Sequence, residues 1–338
     1  MPVALATASH TICMNVIILT AGLGTRLRPH TYTKPKPLVN VAGKPMLGHI
    51  LDTLQPVAID RLICVTGYLG HRIQEFVTQH YNFPTTFIEQ TELLGQAHAI
   101  HLTRDVATGP TLIVFGDGIF DANLEPLNRK HDEGVIYVQE IDDPRRFGVA
   151  VVEDGKITRL VEKPEQPISN LAVIGVYFVP EVRRLYDAIQ TMIDNNIRTK
   201  GEYYLADALQ IMIERGEVFR PDQVSVWKDC GNPTALLDTN RYLLENGRSY
   251  NGSVKRSIII PPVYISDSAQ IENSVIGPHV SVAAGARIRD SRITDSIINA
   301  GATINTAILS GSLIGDDAYV EGEFQKLNVG DSSVLRFS

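Results

Sequence analysis

NVIILTAGLGTRLRP, residues 15–29, is the stretch that decides the fold. An apolar run rich in Val and Ile stops at Thr20, and a loop with Gly22 and Gly24 follows, closing on Arg26 and Arg28. Short apolar runs bounded by glycine read as buried strands. Glycines placed directly after such a strand let the backbone turn tightly and aim its N–H groups at phosphates. Two other glycine loops do not fit. In a dinucleotide fingerprint Leu27 would have to be the third glycine, and no acidic residue follows about 20 positions later. A GxxxxGK[ST] loop is absent.

Outward from this loop, NVIILTA, RLICVTG, TTFIEQ, TLIVFGD and GVIYVQE read as strands, and MLGHILDTLQ, GHRIQEFVTQH and GQAHAIHLTRD carry helical periodicity between them. Alternating β and α predicts a mostly parallel sheet with helices on both faces, whose ligands sit beyond the carboxyl ends of the strands. From about 145 to 180 the texture turns to hairpins, with Asp154-Gly155 as a turn in FGVAVVEDGKITRLVEKP. Helices are expected over 180–194, 202–215 and 233–246, with VSVWKD as a strand before the last.

After residue 247 the pattern changes again. Ile276, Val282 and Ile288 stand six apart, as do Ile298 and Ile304, and Ile314 and Val320. Val282, Ile298 and Ile314 are also 16 apart, as are Ile288, Ile304 and Val320. A fixed short period with one aliphatic per strand predicts a parallel β-helix over 258–330, each coil buried only by its neighbours.

The 338 residues suffice for two domains, here 14–247 and 258–330, with 1–13 a disordered extension or an upstream mis-start before Met14. No apolar run approaches the ~18 residues of a membrane span. Cys13, Cys64 and Cys230 are scattered, which argues against a disulfide framework and for a cytoplasmic protein. A net charge of −7 speaks against nucleic acid as a partner. Residues 1–51, however, hold no Asp or Glu and carry Arg26, Arg28, Lys34, Lys36 and Lys44, a basic island that fits either a local anion site or a solvated face.

Further candidates stand at strand ends. Asp117 follows LIVFG and Asp229 follows VSVWK, the setting either of turn aspartates or of carboxylates for Mg²⁺. Gln90 and Gly95 lie in IEQTELLGQAHA, where a glutamine amide offers both a donor and an acceptor to a base edge. His98 and His101 share a helix face but lack a third ligand, so packed or surface histidines are the expectation. Glu162-Lys163-Pro164 alone would be a surface ion pair worth ~0–1 kcal/mol.

The run GxGTRLxP from Gly22 to Pro29, followed by Lys34-Pro-Lys-Pro-Leu38 and Gly43-Lys-Pro45, resembles the sugar-1-phosphate nucleotidyltransferases. The segments SNLAVIGVYF and GEYYLAD are similar to glucose-1-phosphate thymidylyltransferases that carry a C-terminal left-handed β-helix. Pro37 instead resembles guanylyl- and uridylyltransferase relatives, and Asn232 departs from the usual Asp-x-Gly-Thr. The resemblance implies a Rossmann-like α/β domain followed by a short left-handed parallel β-helix. It implies an enzyme that joins an NTP, dTTP or UTP favoured, to a sugar 1-phosphate, glucose 1-phosphate favoured, with Mg²⁺ and in a homo-oligomer.

By the same resemblance Leu19, Gly22, Gly24, Thr25, Arg26, Gln90 and Gly95 bind the nucleotide. Gly148, Glu162, Lys163 and Tyr177 take the sugar phosphate, Asp117 and Asp229 the metal, and Arg26, Lys36 and Lys163 act on the phosphates. Two rivals remain, a guanylyltransferase for mannose 1-phosphate and a non-catalytic regulatory subunit. The second would be expected to lose the charged residues that this chain keeps. An acyl-transfer role for the repeat finds only His279 and no evident carrier site.

Overall fold

The computed structural model describes residues 11–324 except 167, 248, 251 and 252, together with 329 and 334. The expectation for residues 1–10 and for 325–328 and 330 therefore lies outside the described residues. At the start of the described chain the Ile12 amide donates to the Asn128 carbonyl at 2.8 Å.

The chain packs as two units, one built on residues up to Val39 and Lys44–Leu236, the other on Asn40–Gly43 and the residues from Leu237 onward. Along the chain β1 (Met14–Leu19) of the first unit is followed by the two-residue strand β2 (Asn40–Val41), which belongs to the second, and then by β3 (Lys44–Pro45), α1 (Met46–Thr53) and β4 (Ile59–Thr66) of the first. Next come α2 (Gly70–His80), β5 (Thr85–Glu89), α3 (Gln96–His101), β6 (Thr111–Phe115) and β7 (Gly118–Asp121). The strands β8 (Gly134–Glu140), β9 (Gly148–Glu153), β10 (Lys156–Glu162) and β11 (Leu171–Val179) precede α4 (Val182–Asp194) and α5 (Leu205–Glu214). Strands β12 (Phe219–Gln223) and β13 (Val226–Asp229) lead into α6 (Pro233–Asn246), which passes into the second unit at Leu237.

The central sheet has the order β10-β9-β11-β6-β1-β4-β5, with β8 on β11 and β12 on β8. Strands β6, β1, β4 and β5 run parallel, and β11 joins antiparallel to β6. Alternation along β1 explains the two faces. Ile17 enters the core formed with α3, α4 and α5, while Val16 and Ile18 enter the one formed with α1 and α2. Each such Ile or Val stabilises by about 1.5–3 kcal/mol, so a sheet covered on both sides needs its apolar runs unbroken. The hairpin β9–β10 turns at Asp154 and Gly155, both with positive φ (50° and 73°), as a two-residue type I′ loop requires.

In the second unit, two- and three-residue strands stack in three parallel sheets, a parallel β-helix. Val282 pairs with Ile298 and Ile298 with Ile314, and Ile288 with Ile304 and Ile304 with Val320, the columns the 16-residue period predicts. The period is not strict. Val263 pairs with Val280 and Gln270 with Arg287, a step of 17, because the corners through Pro261-Pro262 and Pro278 hold one residue more than the corner through Asp295.

Asn273, Asp290 and Thr306 turn one corner with φ of 50–54°, and Gly285, Gly301 and Asp317 another with φ of 70°, 68° and 53°. Such corners favour Gly, Asn and Asp. A column of serines ties successive coils together, since Ser257 Oγ accepts from the Ser274 amide and Ser274 Oγ from the Ser291 amide, at 3.0 and 3.1 Å. Within this same unit Asn240, fully buried on α6, accepts from the Ala42 amide at 2.9 Å and donates to the His279 carbonyl at 3.2 Å.

Candidate active site

Beyond the carboxyl ends of β1, β5 and β6 lies a cleft of about 370 Å³. Its walls include Leu19, Gly22, Gly24, Thr25, Lys36, Gln90, Gly95 and Asp117. The glycine loop turns at Gly24, whose φ of +63° is left-handed, and a Cβ there would come within 2.8 Å of Lys36 Cβ. Gly24's carbonyl accepts from the Leu27 amide and from Thr31 Oγ1, which draws it into the turn. Gly22 differs from the sequence expectation. It has no positive φ, and a Cβ there would meet open space, so its smallness clears room rather than permitting the turn. Leu27, 1% exposed, anchors the loop in the core.

Lys36 opens a 3-10 turn (Lys36–Leu38) behind Pro35 and is buried, with Nζ 2.9 Å from Asp117 Oδ2. Two prolines around a buried lysine fix both ends of its backbone, which aims the ammonium at one place. Asp117 lies just past β6, after Gly116, where a Cβ would come 2.8 Å from the Leu19 carbonyl; only glycine lets the ends of β1 and β6 approach this closely. Strands β7 and β13 pair antiparallel with Asp229 opposite Gly118, and the Cys230 amide donates to the Asp117 carbonyl at 3.4 Å. This ladder brings Asp229 to Asp117's side of the sheet. Arg26 does not line the cleft. A Cβ on Gly231 would stand 3.0 Å from Arg26 Nη2 and 2.9 Å from Asp229 Oδ1, so guanidinium and carboxylate share one side of that glycine.

Gln90 follows β5, its amide nitrogen held by the Thr66 carbonyl at 2.7 Å. The buried side chain donates from Nε2 to the Gly95 carbonyl at 3.1 Å and lies 3.2 Å from His98 Nδ1. Gly95 has φ +111° and abuts the Tyr203 backbone, where a Cβ would be 2.5 Å from the carbonyl oxygen. His98 and His101 are packed, as expected: burial lowers both pKa values, and His101 meets the Tyr186 ring edge-on at 6.4 Å. Among the described residues no group of three or more His, Cys, Asp or Glu could hold a metal.

Gly148, Glu162, Lys163 and Tyr177 form a second group that is not part of the cleft wall. Glu162 pairs with Gly148 across β9 and β10, and a Cβ on Gly148 would crowd Glu162 Oε2 at 3.0 Å. Lys163 has left-handed backbone, φ +46°, so its side chain leaves the strand sideways, with Nζ 3.3 Å from Glu162 Oε1 and 3.0 Å from Tyr204 Oη. Burial raises the Glu162 pKa against the pull of Lys163. For Lys163 burial acts downward, but the Tyr204 hydrogen bond and the Glu162 charge outweigh it, so the ammonium titrates above the ordinary lysine range.

Tyr177 touches the cleft through Phe115, ring to ring at 5.6 Å, and Trp227 on β13 meets Phe147 at 4.8 Å. Tyr204, under the Lys163 ammonium, and Glu202, on the cleft wall, had no assigned role in the sequence although GEYYLAD contains both. What identifies Tyr204 is its contact with Lys163, 41 positions away, for which the sequence carries no sign.

The geometry now has relatives to stand beside. A family model described as nucleotidyl transferase matches residues 15–246. A glucose-1-phosphate thymidylyltransferase from Streptomyces griseus is 30% identical, covering 96% of this chain and all of that one. The UTP–glucose-1-phosphate uridylyltransferase AglF from Haloferax volcanii is 35% identical over 69% of this chain and 97% of its own. Among solved structures, a protein described as a glucose-1-phosphate thymidylyltransferase from Bacillus anthracis, in complex with sucrose, aligns with a TM-score of 0.60 and 27% identity, covering 71% of this chain and 98% of that one. With the opening loop, the sheet and the repeat all accounted for, the chain belongs to the nucleotidyl transferase family, among the sugar-1-phosphate nucleotidyltransferases.

Proposed function

We propose that the chain joins dTTP or UTP to glucose 1-phosphate, releasing pyrophosphate and forming the nucleoside diphosphate sugar. The observation that carries this reading is the buried Lys36 against the half-exposed Asp117 at the mouth of the glycine-loop cleft. Relatives that act on glucose 1-phosphate with either thymidylyl or uridylyl transfer support the substrate pair.

In this reading the Gly22–Arg26 loop receives the β- and γ-phosphates through backbone N–H groups, and Gly22 leaves room for them. Lys36 faces the α-phosphate. Gln90 has spent its Nε2 on Gly95 and His98, so Oε1 is what it offers a base, an acceptor that suits the N3–H of thymine or uracil. On the other side Lys163 holds the sugar phosphate, while Glu162, Gly148 and Tyr177 form the sugar's bed. The phosphate monoester has a second pKa near ~6 and needs no general base. Catalysis is then alignment of an in-line attack, with Lys36 and Arg26 neutralising charge between two anions.

Asp117 and Asp229 are oxygen donors at neighbouring strand ends, a set that suits Mg²⁺, which takes one or two carboxylates beside substrate phosphates. When bound, Mg²⁺ would neutralise and orient the triphosphate. Residues 14–247 make up the catalytic domain, and the β-helix that follows supports a homo-oligomer in the cytoplasm. Free cysteines and the lack, among the described residues, of a helix long and apolar enough to cross a membrane accord with that.

The test is pyrophosphate release in Mg²⁺ with glucose 1-phosphate, comparing dTTP, UTP, GTP, CTP and ATP. Turnover with dTTP or UTP, needing both sugar phosphate and metal, is expected. Preference for GTP with mannose 1-phosphate would replace the substrate pair, and full activity of Asp117→Asn in Mg²⁺ would remove the metal assignment.

A further inference from the structure

We infer that His98 is a positioning residue for base selection, holding the Gln90 amide so that only its oxygen is left to meet the base. The inference rests on the reading of Gln90 as the base-facing side chain, and deepens it.

A glutamine amide is nearly symmetrical in shape, and its two ends ask opposite things of a ligand. The Gly95 carbonyl, 3.1 Å from Gln90 Nε2, is an acceptor only and settles which end is nitrogen. That bond uses one of the two Nε2 hydrogens. The second would remain free to serve a base acceptor, but His98 Nδ1 lies 3.2 Å away and takes it. Cytosine carries an acceptor at N3 where thymine and uracil carry a donor. A spare Nε2–H would therefore welcome the wrong base, and His98 removes it.

The imidazole is held where it must be. His98 lies on α3, whose start is pinned by the Ala97 amide donating to the Tyr203 carbonyl at 3.0 Å and by Gly95 packed on the same backbone. Burial keeps the ring's pKa below its ordinary value against the opposing pull of Glu92, which favours the neutral ring, and facing the Gln90 N–H donor that ring presents the Nδ1 lone pair.

The experiment compares kcat/KM for dTTP, UTP and CTP, with glucose 1-phosphate and Mg²⁺, in the wild type, His98→Leu, His98→Asn and Gln90→Leu. Asparagine returns an acceptor near the position of Nδ1, whereas leucine does not. His98→Leu is expected to raise the use of CTP relative to dTTP and UTP about tenfold, about 1.4 kcal/mol. The change should fall in the KM for nucleotide, leaving that for glucose 1-phosphate alone, and His98→Asn should restore the wild-type ratio. Equal shifts in both His98 variants would mean that packing, not the hydrogen bond, matters, and would overturn the inference. So would an unchanged ratio in His98→Leu, while a shift in Gln90→Leu would still uphold the base reading. An unchanged ratio in Gln90→Leu would remove both.

Discussion

Lys36 and Lys163 each stand beside a carboxylate, but burial is divided the opposite way in the two pairs. The Lys36 side chain is 8% exposed and its partner Asp117 51%, whereas Lys163 is 34% exposed and Glu162 only 10%. The buried member of a pair is fixed by packing, and the exposed member is the one a ligand can engage. On the nucleotide side the cation is set and the carboxylate is presented; on the sugar side the carboxylate is set and the cation is presented. A preorganised charge lowers a barrier because it has no reorganisation left to undergo. An ammonium on a flexible four-carbon stem is better suited to capturing a phosphate. The division of burial thus predicts a division of kinetic labour, kcat to Lys36 and KM to Lys163.

The sharpest break would come from Lys36→Ala and Lys36→Met. Both should lower kcat by about 10²–10³-fold, the loss seen when one preorganised electrostatic donor is removed. The KM for nucleotide should move by less, and thermal stability by under about 1 kcal/mol, because the orphaned Asp117 is free to hydrate. Steady-state kinetics with calorimetry reads all three. A large rise in nucleotide KM with kcat intact would make Lys36 a binding handle and erase the contrast.

Lys163→Ala should act next most strongly, raising the KM for sugar 1-phosphate about 10–100-fold with a smaller effect on kcat. Its raised pKa adds a pH signature. Deprotonation is displaced above the ordinary lysine range by Tyr204 and Glu162, so the wild-type KM for sugar phosphate should stay flat from about pH 7 to 9. A KM that climbs within that window would show the ammonium to be less well supported than its two partners suggest.

What the sequence revealed and concealed follows the same division. The strand and helix periods, the I′ turn at Asp154-Gly155 and the aliphatic columns of the β-helix are local or strictly repeated, and residue spacing carries them. Lys36 was legible as a constrained lysine because Pro35 and Pro37 flank it. The partnerships were not legible. That Gln90 spends its donor on Gly95 and His98 depends on how the connection from β5 to α3 folds back, and that Arg26 turns toward Asp229's glycine and Tyr204 lies under Lys163 depends on distant segments meeting. The Pro corners explain why a 16-residue period lengthens to 17: one added corner residue leaves every inward aliphatic in its column, so the hydrophobic pattern hardly registers it.

Glu162→Gln is the smallest change, and it asks whether the sugar-side carboxylate is strained by its burial, as the contrast requires. Burial holds the Glu162 pKa above the usual glutamate value although Lys163 pulls it down. A raised folded pKa means the folded state keeps the proton more tightly than the unfolded chain, so ionisation costs stability. That cost is absent below the unfolded pKa and complete above the folded one, and at pH 7 the wild type carries it. Replacing the carboxylate by an amide should therefore stabilise the protein at pH 7 by about 0.5–1 kcal/mol, the usual size of a gain won by relaxing a functional site. The advantage should shrink as pH falls into the acid range, because the wild-type carboxyl, its folded pKa raised, takes up its own proton there. The KM for sugar 1-phosphate should meanwhile rise about tenfold, since a charged acceptor for the sugar hydroxyls is lost. Melting curves at a series of pH values decide the matter. A Glu162→Gln protein less stable than the wild type at pH 7 would mean that the bond to Lys163 more than offsets burial, and the two pairs would then be alike in kind, differing only in which member the solvent reaches.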